Sequence, residues 1–221
     1  MLSMITNLVV CLSGFFTTYA SDAKEAMEFF AENPSIESSL RRDLSPDEAI
    51  IAMAIVAPEV SRFSSLMNWG EVRTLGILYV QQGSSDFSVG HFQMKPSFIE
   101  RLEREVANDA SLRKKFSDVL ISNKLSITDQ RKTRVERLTS LKWHTRYLSL
   151  FIHIAKKKTS TITFGSSDEK VRYWAALYNG GIDSDQAKVK RLQNKQTFPR
   201  TGRRYNYSDI ASGFYQKLKN R

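Results

Sequence analysis

The chain has 221 residues, with 33 Lys and Arg against 23 Asp and Glu, a formal charge of +10 and 41% apolar residues, enough for one well-buried domain or one domain with a tail. A single cysteine excludes an internal disulfide, a thiolate zinc cluster and an iron–sulfur site, and the three dispersed histidines, His91, His144 and His153, show no metal-ligand spacing. No metal or other cofactor is therefore expected. The positive charge favours polyanionic surroundings, whether nucleic acid, anionic lipid or cell wall, without choosing among them.

Residues 1–20 carry no charged side chain, and an apolar run from Leu8 to Phe16 leads to Thr18-Tyr19-Ala20 and then the polar Ser21-Asp22. This pattern predicts a signal peptide cut after Ala20, and so an exported chain in a periplasm or cell envelope, or secreted. Cys11 follows Leu8-Val9-Val10 and would leave with the signal. Residues 21–44 read as a polar N-terminal extension. Ser45-Pro46-Asp47-Glu48 then combines a capping Ser, Pro at the first helical position and the Glu of a capping box. Every residue from Ala49 to Ala57 is apolar, and a helix apolar on all faces has to be enclosed by the rest of the domain. This is the predicted core helix, with Pro58 expected to bend it or end it at Ala57.

Thr74 to Gln82 reads as a strand or a short buried helix, because periodicity does not decide, and Gly83-Ser84-Ser85-Asp86 as a turn or loop. Helical patterns follow over Pro96–Ala107 and Ala110–Ile121, then a basic segment runs up to Arg137. Leu141–Lys158 is strongly amphipathic, and a further helix runs from Asp168 to about Tyr178 before Gly180-Gly181. From Gln186 onward Lys and Arg dominate, with Asp209 the one acidic residue.

Glu59 is the most informative side chain. A carboxylate at the end of an all-apolar helix is expected to lie partly desolvated at the wall of a cleft, which raises its pKa as a general acid near neutral pH requires. The competing structural role is a cap, or an ion pair with Arg62 or Arg73.

Ser88-Val89-Gly90-His91-Phe92-Gln93-Met94-Lys95-Pro96-Ser97 is similar to the Gly-Leu-Met-Gln-Ile-x-Pro-x-Thr signature of lytic transglycosylases and goose-type lysozymes, and Ala175-Ala176-Leu177-Tyr178-Asn179-Gly180-Gly181 resembles their Ala-Tyr-Asn-Ala-Gly signature. Ala57-Pro58-Glu59-Val60-Ser61-Arg62-Phe63 resembles the Glu-Ser-x-Phe region that supplies their catalytic acid. The three partial motifs occur in the family's order. The resemblance implies a mainly α (α+β) fold, a lysozyme-like catalytic domain over residues 45–181 with a small β or inserted lobe at the cleft, followed by a basic C-terminal segment over 182–221. The separation between Glu59 and Gly90 is roughly twice the family's, so Trp69–Gln82 is expected as the inserted lobe.

The resemblance assigns Glu59 as catalytic acid and Gly90, Gln93, Tyr178 and Asn179 as substrate-binding residues. Gly90 would admit a sugar ring to the backbone, Gln93 would bind an N-acetyl or hydroxyl group, and Tyr178 would donate to Glu59 or to the substrate. Trp69, Tyr79 and Phe92 are candidates to line the groove, and His91 is expected at a rim or buried. Asp86 and, beyond it, Glu71 are candidates for a second carboxylate, which a hydrolase needs and a lytic transglycosylase does not. The expected activity is lytic cleavage of the MurNAc-GlcNAc β-1,4 bond of peptidoglycan strands with formation of 1,6-anhydro ends. The alternatives are a hydrolytic muramidase and a non-catalytic basic protein, for which Arg200, Arg203, Arg204, Tyr205 and Tyr207 supply cations beside aromatics. The basic segment suits an anionic wall or membrane surface, and no nucleic acid partner is expected outside the cytoplasm.

Overall fold

The predicted capping box forms. The Ser45 hydroxyl accepts from the Glu48 N–H at 3.3 Å, and Glu48 Oε2 accepts from the Ser45 N–H at 3.1 Å. The structure, a computed structural model, describes residues 14–66, 69–83 and 86–221, and the side chains of residues 63–75 lie outside the described set. It is mainly helical: α1 (Ala20–Glu32), α2 (Pro34–Arg41), α3 (Pro46–Leu66), α4 (Trp69–Gln82), α5 (Pro96–Asn108), α6 (Ala110–Phe116), α7 (Ile127–Leu138), α8 (Leu141–Lys158), α9 (Ser167–Gly180), α10 (Gln186–Leu192) and α11 (Tyr207–Lys219). A single turn of 3₁₀ helix follows α6 at Ser117–Val119. The strands β1 (Gln196–Phe198) and β2 (Tyr205–Asn206) pair antiparallel, Gln196 opposite Asn206 and Phe198 opposite Tyr205.

The apolar run lies at the centre. From Ala49 to Ala57 every side chain except the half-buried Ile50 is out of contact with solvent, and α1, α2, α8, α9 and α11 pack around α3. Of the two outcomes expected at Pro58, a bend or an end at Ala57, the end does not occur, and the helix continues through Pro58 to Leu66. Proline removes one ladder hydrogen bond and costs about 3 kcal/mol in a helix interior, less than the enclosure of this helix returns. The loosened turn is bonded sideways: Tyr207 donates its hydroxyl to the Ile55 carbonyl at 2.9 Å, and Ser61 donates to the Pro58 carbonyl at 2.7 Å.

The segment read as strand or helix, Thr74–Gln82, is helical and belongs to α4, which packs on α7. Tyr79 donates to Glu100 at 2.6 Å, and Arg134 reaches both Glu100 and Glu103, tying α4, α5 and α7 together. Among the described residues the sheet structure is the β1–β2 hairpin near the C-terminus. Helix α6 ends at Phe116, earlier than the pattern to Ile121 suggested, and the basic stretch before Arg137 contains α7.

Both ends of the chain depart from the sequence reading. The stretch 182–221, set apart there as a basic segment, carries Ile210, Phe214 and Leu218 at helical spacing, and these bury α11 against α3 and α9. Gly181 is therefore no domain boundary. Residues 21–44, read as an extension, form α1 and α2 on the flank of α3. Residues 1–13, including Cys11, lie outside the described residues, but residues 14–18 are helical and Phe15 is 1% exposed, edge-on to Tyr205 and Phe214. Thr18 and Tyr205 share a hydroxyl hydrogen bond of 2.6 Å, and Tyr19 donates to the Arg203 carbonyl at 3.0 Å. A cut after Ala20 would take these groups out of the core. Among the described residues no helix is long and apolar enough to cross a membrane.

The buried position of Phe15 gives a direct expectation. Phe15→Ala should destabilise the fold by about 3 kcal/mol, the usual cost of emptying a core phenylalanine site. A chain beginning at Ser21 should melt below one beginning at Gly14. Urea titration followed by circular dichroism measures both, and equal stabilities would mean that residues 14–20 are dispensable to the fold.

Candidate functional site

Glu59 lies within α3, one residue after Pro58, where the buried core gives way to a cleft of about 570 Å³. The walls are the end of α3, the 86–95 loop, the first turns of α5, the end of α9 and the hairpin segment 197–201. Of the residues named from the sequence, Glu59, Asp86, Gln93, Tyr178 and Asn179 line this cleft, although they come from three separate stretches of chain.

Glu59 is partly buried, and that burial pushes its carboxyl up to about 7, with the Arg200 guanidinium and the Tyr207 hydroxyl pulling the other way without cancelling it. It is therefore divided between acid and base at neutral pH. Arg62, one of the ion-pair partners considered for it, is instead paired with Asp22 and lies over the Tyr19 ring. The Arg73 side chain lies outside the described residues.

The 88–97 signature folds as a tight turn. Val89 and Met94 form a two-residue antiparallel bridge, Gly90 takes φ +68° and Gln93 φ +49°. Both the Gln93 backbone N–H, at 3.0 Å, and its side-chain amide, at 2.9 Å, donate to the Gly90 carbonyl. A left-handed non-glycine residue is strained, and the double hold on Gly90 keeps Gln93 in that conformation at the cleft wall. The role expected for Gly90 is not the one observed. Gly90 does not line the cleft, and a Cβ there would overlap the His144 ring and come 2.9 Å from the Leu138 carbonyl. Gly90 thus lets the turn pack onto α8. His144 is buried, and burial pushes its pKa down to about 4, so the ring beneath the turn is neutral.

Tyr178 also differs from expectation. Its hydroxyl donates to the Phe92 carbonyl at 2.6 Å, and its ring meets Phe98 and Phe151 edge-on, so it clamps the signature turn to α9. The hydroxyl that lowers the Glu59 pKa belongs to Tyr207, at the start of α11, and donates its proton to the Ile55 carbonyl. Burial first and the Glu59 charge second push both tyrosines well above the usual phenol range, so both stay protonated. Asn179 is exposed at the cleft edge, followed by Gly181 at φ +94° where the helix stops.

Asp86 accepts from the Ser97 N–H at 3.4 Å and from Lys95 Nζ at 3.1 Å. Burial pushes its pKa up, but those two bonds outweigh it and hold the group ionised. It is a cap on α5 and an ion-pair partner. The Glu71 and Trp69 side chains lie outside the described residues. Phe92 and Tyr79, expected in the groove, are core residues, Phe92 against His144 and Tyr79 on Glu100. The aromatic walls of the cleft are Phe87, Phe98, Phe198 and Tyr178. His91 stacks on Phe29 with ring centroids 4.6 Å apart, and burial lowers its pKa.

The sequence reading missed the partnership of Arg200 and Tyr207 with Glu59. Pro199 and Gly202 between Phe198 and Tyr205 do signal a turn, but no local pattern says where that turn docks. Tyr205 and Tyr207 have their rings inside the fold, so they are not the exposed stacking platform that a nucleic-acid surface would require. Among the described residues no group of three or more His, Cys, Asp or Glu side chains gathers at metal-binding distance. No protein-family description, curated protein or solved structure matches this chain.

Two expectations follow from the raised Glu59 pKa. The native state holds this proton more tightly than the unfolded chain, so its stabilising contribution is complete below about 4.5 and is lost as pH rises through about 7. Glu59→Gln should accordingly stabilise the protein at pH above 7, by up to about 3 kcal/mol, and have little effect near pH 4. Thermal unfolding across pH checks the sign. Tyr207→Phe removes a hydroxyl that lowers the Glu59 pKa, so the carboxyl should titrate higher still, which carbon NMR of the labelled Glu59 carboxyl would detect.

Proposed function

We propose that the chain is an exported peptidoglycan lytic transglycosylase in which Glu59 serves as both general acid and general base. The observation that carries this reading is the convergence of Glu59, Gln93, Tyr178 and Asn179 on one cleft, around a carboxyl whose pKa is about 7. A lysozyme-like domain, cleavage at MurNAc-GlcNAc β-1,4 bonds and a periplasmic or envelope location belong to the same proposal.

The chemistry suits a single carboxyl. In its protonated form Glu59 donates to the glycosidic oxygen as the C1–O bond of the muramoyl sugar breaks. The neighbouring N-acetyl group of the substrate stabilises the cationic C1. Glu59, now a carboxylate, takes the proton of the same sugar's 6-hydroxyl while that oxygen bonds to C1. The product is a 1,6-anhydro ring, no water is consumed, and Glu59 ends protonated as it began. Arg200 and the Tyr207 hydroxyl both favour the carboxylate and so support the intermediate stage. Partial burial favours the acid and supports the start. Gln93 and Asn179 offer amides to the N-acetyl and hydroxyl groups of the strand.

A hydrolytic muramidase would need a second carboxylate to position water or form a covalent intermediate. Asp86 is the other carboxylate on the described cleft wall, and to act it would have to leave Lys95 and the Ser97 N–H. This favours the transglycosylase over the hydrolase.

Digestion of purified sacculi followed by mass analysis of the released muropeptides tests the proposal. Anhydro ends are expected, and Glu59→Gln should lower the rate by at least ~10²-fold, the scale of general acid–base catalysis. Reducing ends would select the hydrolase, and the absence of any release by the unaltered chain would remove both.

A further inference from the structure

The cleft wall carries four cations, Arg62, Lys95, Arg101 and Arg200. Arg62 is committed to Asp22, in a pair with both side chains mostly buried, and Lys95 to Asp86. Arg101 has Asp183 at 3.8 Å, but these side chains are 38% and 53% exposed, so the pair contributes at most about 1 kcal/mol and is readily exchanged. Arg200 is exposed and has no ion-pair partner among the described residues. The wall therefore offers two guanidinium groups to a ligand.

Both are placed by the backbone around them. Gly181 stands at φ +94°, and a Cβ there would come 2.9 Å from Arg101 Nη1, so the glycine leaves the space that this guanidinium occupies beside the end of α9. Arg200 follows the buried Pro199 in the hairpin connection, and that connection is fixed from the far side where Tyr19 donates to the Arg203 carbonyl at 3.0 Å. A guanidinium presents a planar fork of donors that matches a carboxylate. A neutral β-1,4 glycan has no group that uses such a fork. A peptidoglycan strand has one at every muramoyl sugar, because the 3-O-lactyl group ends either in its own carboxylate or, when amidated by a stem peptide, in the carboxylates of that peptide.

We propose that Arg101 and Arg200 form a carboxylate-binding subsite of the cleft, which selects strands by the acidic substituent on the lactyl oxygen. The proposal rests on the peptidoglycan reading above and adds the recognition element that distinguishes this polymer from an uncharged glycan.

The test uses the full chain carrying Glu59→Gln, so that saccharides bind without turnover. Three saccharides of equal length are titrated calorimetrically: a chitin oligosaccharide, a peptide-free peptidoglycan fragment and a stem-bearing fragment. At least one acidic fragment is expected to bind ~10-fold more tightly than the chitin oligosaccharide, as two partly exposed charge-assisted contacts would give, with the gap narrowing as salt rises. Preference for the peptide-free fragment identifies the lactyl carboxylate as ligand, and preference for the stem-bearing one identifies the stem. Adding Arg101→Gln and Arg200→Gln together should bring the ratio to about one. Adding Lys114→Gln and Lys132→Gln, exposed positions off the cleft wall, lowers the net charge equally and should leave the gap in place. A ratio near one before the arginines are changed, or a gap that survives their loss, overturns the subsite while leaving the cleft a glycan site. Failure of all three saccharides to bind overturns the subsite and the peptidoglycan reading together.

Discussion

The structure depends on one constraint, that a helix apolar on every face cannot be left against water. Burying a Leu, Ile, Val or Met side chain is worth roughly 1.5–3 kcal/mol, and α3 places Ile51, Met53, Ile55 and Val56 in its interior turns with alanines between them. Five other helices close around it, two from the N-terminal part of the chain and three from the C-terminal half. The alanines let those helices come close. The same enclosure fixes where the chemistry is placed: Glu59 is the first carboxylate after the buried run, and it emerges where the packing around α3 opens into the cleft.

The poise of Glu59 is a contest between two terms. Partial removal from water raises its pKa, while a guanidinium and a hydroxyl lower it. Desolvation wins because Arg200 is exposed, and an exposed charge acts through a high effective dielectric and is screened by salt. A buried arginine paired directly with Glu59 would have pulled its pKa down more strongly. The chain has such tight pairs elsewhere, Arg62 with Asp22 and Arg134 with Glu103, and in both the cation is turned to a different acid. Among the described residues Glu59 has no ion-pair partner, which keeps its proton available.

What was legible in the sequence was local. The capping box at Ser45, the amphipathic run that became α8, and the end of α9 at Gly181 each follow from a few neighbouring residues, and the structure reproduces them. Glu59, Gln93, Tyr178 and Asn179 were also identified and do share a cleft. Roles set by distant partners were not legible. Gly90 matters because of His144, Tyr178 holds the Phe92 carbonyl, and the hydroxyl that acts on Glu59 comes from Tyr207, far along the chain. That Pro58 would bend or end its helix is readable from the local cost of proline, whereas the hydroxyls of Tyr207 and Ser61 bonded beside it are not.

The ends of the chain illustrate the same limit and connect it to the site. An uncharged apolar stretch suits a signal peptide, and it equally suits a packed turn of helix, because both are selected for the same transfer out of water. The composition of residues 14–19 therefore could not separate the two. In the structure Phe15, Thr18 and Tyr19 hold Tyr205 and Arg203, which flank the hairpin connection carrying Arg200 and lead into Tyr207. The dense basic charge of 182–221 masked an equally ordinary buried face in α11. With both segments docked, Glu59 has one wall of its surroundings built from the last quarter of the chain and braced by the first described residues. Were the hairpin to lift, water would reach the carboxyl and its pKa would return toward the ordinary value. The acid at the centre of the cleft is thus tuned by contacts between the two ends of the chain, far from Glu59 in sequence.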